Sequence, residues 1–115
     1  MNQNELKQRT KLFAHRCVKL AASLEPTPLG KHITSQLIRC STSVAANYRA
    51  ACLAQSKAAF IAKLSIVLEE ADETYFWIEF VLDEKIIGKD KAAQLLNEAN
   101  ELVAIFVSSR KTARS

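Results

Sequence analysis

Only two glycines and two prolines interrupt the 115 residues. Tight turns and left-handed backbone positions draw on these residues, so a chain this poor in them forms long regular elements with few connections. Strand patterning is missing too: β-branched residues do not alternate with polar ones, while alanine and leucine are abundant. The class is therefore all-α. No apolar run approaches the ~18 residues a membrane span requires. Met1 to Lys7 lack the apolar core of a signal peptide. Both absences point to a cytoplasmic protein with no membrane partner.

The residues of common catalytic and metal sites are also scarce. Cys17, Cys40 and Cys52 are an odd number without CxxC spacing and read as reduced, buried, small apolar side chains. His15 and His32 stand alone, with no ligand four residues on. A di-metal centre in a helical bundle uses Glu-x-x-His pairs and inward carboxylates from several helices. No Glu-x-x-His occurs, and Glu69, Glu70, Asp72 and Glu73 all crowd one segment. Glycine-rich phosphate loops are absent, and no nucleophile–base arrangement can be assembled. The expectation is a non-enzymatic protein with neither metal nor cofactor. Nor is there a helix-turn-helix, or basic residues interleaved with aromatics as single-strand binders have.

What the chain does contain is centred on Ile66 to Phe80. At about 100° per residue, Phe60, Leu64, Val67, Ala71, Thr74, Ile78 and Val81 fall on one side of a helix. Ile66, Phe76 and Phe80 fall nearly opposite, with Glu69 and Glu73 among them. A surface helix in a small monomer needs one apolar stripe; a second implies burial against a partner subunit. Ile66, Phe76, Trp77 and Phe80 are the expected oligomer interface. Trp77 lies at the edge of this face and reads as packed there, not as stacked on a base.

In chain order, the spacing predicts a helix from about Asn4, its N-cap, to Leu24, with Leu6, Thr10, Phe13, Cys17, Leu20 and Leu24 inward. Pro26 and Pro28 end it. A second helix runs from Pro28 to Leu53, capped by Thr27, with Ile33, Leu37, Cys40, Val44, Tyr48 and Ala51 inward. A tight turn before Ser56 leads to a third helix to Ile86, and Gly88 is its natural stop. A fourth runs from Lys89 to Ser109, with Leu95, Leu96, Ala99, Leu102, Val103 and Phe106 inward. Residues 110–115 form a basic, frayed tail. Four such helices with short connections make one antiparallel up-down-up-down four-helix bundle.

Beside the apolar stripe of the second helix lies a polar row, Gln36, Arg39, Ser43 and Asn47. Arg39, Ser43 and Asn47 are expected to face Glu69 and Glu73 across the helix pair, as a polar network that fixes register or as a binding site. Charge is segregated: residues 1–57 carry +7, residues 58–109 carry −6, and residues 110–115 carry +3. The halves can complement each other within one bundle. Alternatively the basic residues form a surface for RNA or DNA, with Lys7, Arg9, Lys11, Arg16, Lys19, Arg110, Lys111 and Arg114 as candidates. A protein-interaction scaffold, charged only for solubility, is the competing reading.

Gln36-Leu-x-Arg39-x-x-x-Ser43-Val-Ala-Ala-Asn47, then Ser56-Lys-x-x-Phe60-Ile and Leu68-Glu-Glu-Ala-Asp-Glu-Thr with Trp77, resemble the 23S rRNA intervening-sequence protein family. The resemblance runs from about Leu6 to Phe106. Tyr48-Arg49-Ala50-Ala51 stands where the family's Asn-Ile-Ala-Glu-Gly pattern has Ile-Ala-Glu-Gly. The resemblance implies an up-down bundle assembled as a homopentamer. A relative, the accessory variability determinant protein of diversity-generating retroelements, implies contact with nucleic acid through a basic surface.

Overall fold

The computed structural model describes all of residues 1–115, and they form four helices: α1 Gln3–Ala22, α2 Pro28–Cys52, α3 Lys57–Asp83 and α4 Lys89–Arg114. Three caps set the starts. The Asn2 side chain accepts from the Glu5 amide at 2.8 Å, the Thr27 hydroxyl from Gly30 at 3.0 Å, and the Ser56 hydroxyl from Ala59 at 3.1 Å. The last two are where the sequence places them. The first lies two residues earlier than the expected Asn4, because Asn2 has the extended backbone and free carboxamide a cap requires. α1 also stops before Leu24: the Ser23 hydroxyl donates to the Leu20 carbonyl at 2.7 Å, closing the last turn.

Two further ends differ from expectation. α3 ends at Asp83, not Ile86. Lys85 adopts a left-handed backbone, φ 55°, its amide donates to the Leu82 carbonyl, and the Ile86 amide reaches back to Val81. This is a Schellman termination with lysine where glycine is usual. Ile86 packs against the cluster of Leu24, Ile33 and Val81, and that apolar contact accompanies the motif. Gly88 instead caps the start of α4, at φ −61°. The tail is not frayed either: α4 continues through Arg114. Residues 110–114 contain no helix breaker, and Lys111 and Arg114 in the last turn complement the negative end of the helix dipole.

Cross-helix contacts fix an antiparallel order. Asn47 of α2 meets Lys63 of α3, while the earlier Arg39 meets the later Glu70. Arg110 of α4 meets Ser65, and Arg9 of α1 meets Glu98. Sequential helices pack tightly, α1 and α4 more loosely, and the bundle measures 44 × 21 × 19 Å. The expected stripes form the core: Phe13, Cys17, Leu37, Val44, Leu64, Ile78, Leu102 and Phe106 are all buried. Thr10 and Thr74 sit inside without cost, because their hydroxyls donate to the Lys7 and Glu70 carbonyls at 3.0 and 2.7 Å. No helix is long and apolar enough to cross a membrane.

Candidate functional site

The polar row of α2 faces α3, but its partners are not the expected pair. Arg39 donates to Glu70 at 3.0 Å and to Glu73, and its Nε to Gln36 at 3.3 Å. Glu73 also accepts from the Trp77 indole at 3.2 Å. Glu69 takes no part. One residue is a turn of about 100° on a helix, so the step from Glu70 to Glu69 carries that carboxylate out to solvent. Ser43 and Asn47 form a separate group: the Asn47 amide donates to the Ser43 hydroxyl at 2.8 Å and accepts from Lys63 at 3.5 Å. The network is not buried. The Arg39 side chain is 48% exposed, which limits its pair to about 1 kcal/mol or less.

Beyond this row the outer face of α3 carries aromatic rings. Phe76 lies 5.0 Å from Trp77 and 5.9 Å from Phe80, centroid to centroid. Trp77 is backed edge-on by His32 at 5.4 Å. Phe76 is 48% and Ile66 39% exposed, whereas Trp77 and Phe80 are half-buried. The two-faced character of α3 is therefore real: one face fills the core, and the other brings apolar side chains to the surface. Glu69, Asp72, Glu79 and Asp83 stand exposed on that outer side, and none makes an ion pair.

The basic candidates do not form one patch. Arg9 is engaged: its guanidinium forks onto Glu98 at 2.8 and 2.7 Å and reaches Glu101 at 3.2 Å, bridging α1 to α4. This hydrogen bond, opposed by burial and reinforced by the charge of Arg9, holds the Glu98 carboxyl below its usual range. Arg16 and Lys19 line a hollow of about 290 Å³ between α1 and α4, together with Lys91. Lys7 and Lys11 line a groove of about 720 Å³ between α1 and α2, with His15 and Arg49 beside them and Ala14, Ala45 and Ala46 along its floor. Arg110, Lys111 and Arg114 lie at the end of the bundle reached by the 53–56 turn, where Lys57 contacts the Ser115 carbonyl at 3.3 Å. No three His, Cys, Asp or Glu side chains converge as a metal ligand set would.

Residues 2–108 match the family model of the 23S rRNA-intervening sequence protein. The chain belongs to that family. It is also similar to a protein of unknown function from the S23 ribosomal protein family of Bacteroides thetaiotaomicron VPI-5482. That crystal structure is 34% identical, with a TM-score of 0.87 over 96% of this chain and 99% of that one. No curated protein matches the chain.

Within this intervening-sequence family bundle, sequence reasoning missed Arg49, Lys57, Lys63, Glu70 and Lys91. A signal for Arg49, Lys57 and Lys63 was present: residues 26–68 and 102–115 contain no aspartate or glutamate. Folding brings the end of the first stretch and the second stretch to the same end of the bundle, as the Lys57 and Arg110 contacts record.

Proposed function

We propose that this intervening-sequence family protein is a cytoplasmic homo-oligomer, a pentamer by its family resemblance, that contacts RNA or DNA phosphates without catalysing a reaction. The observation that carries the reading is the cationic end of the bundle. Lys57, Arg110, Lys111 and Arg114 gather there, and no carboxylate side chain occurs in residues 53–67 or 102–115. Clustered cations attract a polyanion, and repetition around a ring would multiply the field. Phosphate contact reads no sequence, which agrees with the absence of a groove-reading motif.

Filter binding with mixed RNA and DNA at several salt concentrations tests this. Log affinity should fall linearly with log salt, and replacing Arg110, Lys111 and Arg114 by alanine should lower the slope by roughly 0.7–0.9 per lost phosphate contact. No binding at low salt removes the nucleic-acid reading. The second reading, a protein-interaction scaffold or accessory subunit, then stands on the exposed Ile66 and Phe76 side chains.

A further inference from the structure

The oligomer reading leaves open which surfaces meet, and two surfaces are matched in charge, chemistry and length. The groove between α1 and α2 presents Lys7, Lys11 and Arg49, with His15 beside them, over a floor of small side chains, and none of these three cations makes an ion pair. The outer face of α3 presents Glu69, Asp72, Glu79 and Asp83, likewise unpaired, around Phe76 and Phe80. No lysine or arginine lies between Lys63 and Lys85 to balance them.

We infer that the α3 face of one copy seats in the α1–α2 groove of the next, head to tail. Self-pairing is disfavoured on both sides. Two α3 faces would oppose carboxylates to carboxylates, and two grooves cations to cations, and like charges across an interface are repelled. The favourable contact joins unlike patches, which is a heterologous interface of the kind that builds rings. Small alanines in the floor leave room for phenyl rings, and the rim cations meet Glu69 and Asp72. Lengths agree: Lys7 to Val18 along the groove and Glu69 to Phe80 along the face each rise ~16 Å at 1.5 Å per residue. The two patches lie on different sides of the bundle, since α3 contacts α2 and α4 but not α1. One protomer can therefore use both at once.

This inference rests on the oligomer reading, and charge reversal with light scattering tests the two separately. Lys11→Glu with Arg49→Glu should shift the assembly toward the 12.8 kDa protomer while far-UV helicity is kept. Glu69→Lys with Asp72→Lys should do the same. All four substitutions in one chain restore opposite charges across the contact and should recover the wild-type mass. An unchanged mass for the groove variant, or a combined variant that stays dissociated, overturns the pairing. If the groove variant keeps its mass and loses nucleic acid instead, the groove is a phosphate surface and the pairing is likewise overturned. A wild-type protein that is monomeric at micromolar concentration overturns the oligomer reading itself.

Discussion

Arg9 and Glu98 show how one contact serves both fold and charge balance. α1 and α4 pack more loosely than the other neighbouring helices, and the forked pair spans the gap between them. The hydrogen bond from Arg9 lowers the folded-state pKa of Glu98 beneath its ordinary 4.5. A lowered folded value stabilises the fold above the unfolded pKa, and the contribution is lost as the pH falls through the folded value. Glu98→Gln should therefore melt roughly 4 °C below wild type at pH 7, the equivalent of about 1 kcal/mol. The gap should close as the pH drops below about 4.5 and through the lowered folded-state value. A gap that stays constant over that range, followed by circular dichroism, would show that the carboxylate charge is not what matters. Neither partner could be matched from sequence, because they lie on the first and last helices and nothing local sets their register. Glu70 was missed for a different reason. Periodicity resolves which side a residue is on, but the choice between Glu69 and Glu70 depends on how α3 is rotated against α2. The inward residues were legible down to Thr10 and Thr74, since apolar spacing alone fixes their direction.

At the scale of helices, the starts were legible at the clear caps, Thr27 before Pro28 and Ser56, as was the end of α2 near Leu53, while the C-terminal ends of α1, α3 and α4 were not. Glycine is the usual marker of a helix stop, and here it misled: the left-handed position belongs to Lys85, while Gly88 sits at an ordinary φ with nothing within 4 Å of a β-carbon placed there. A β-carbon in the left-handed region is strained by about 1–2 kcal/mol. Lys85→Gly removes that strain and gains back part of it after the added freedom of the unfolded chain, so stability should rise by about 0.5–1 kcal/mol. Gly88→Ala should change little. Thermal melts of the two variants give the ordering. If Gly88→Ala destabilises more than Lys85→Gly stabilises, the stop has been assigned to the wrong residue. Gly30 is the glycine with a packing reason. A β-carbon there would overlap the Glu25 carbonyl oxygen, so the α1–α2 connection folds against the first turn of α2 only because that side chain is absent.

Taken whole, the bundle is lopsided: cations gather at the end holding the 53–56 turn, carboxylates line the outer half of α3, and rings project among those carboxylates. Charge on both sides of the Phe76–Phe80 pair keeps a free protomer dispersed, yet the rings themselves gain nothing from water. Fully burying each large apolar side chain is worth about 1.5–3 kcal/mol, and exposed apolar patches of this kind mark interaction sites. Closed symmetry covers such a patch in every copy without leaving an edge. The two faces of α3 were readable from periodicity alone, but which apolar residues stay exposed was not, since Trp77 and Phe80 are partly covered within the protomer, by His32 and by Ile33 and Val81. Phe76 is therefore the cleaner probe. At 48% exposure it contributes little to the protomer's own core, so Phe76→Glu should leave the helical signal intact. It also replaces the ring that would seat on a neighbour's small apolar floor with a carboxylate that floor cannot solvate. The wild type should run as a multiple of 12.8 kDa and the variant as a single 12.8 kDa particle. Phe80→Glu should do the same with some loss of thermal stability, because part of that ring packs inward. Light scattering at micromolar concentration decides: equal masses for wild type and Phe76→Glu would mean that the outer face of α3 is not the surface through which copies meet.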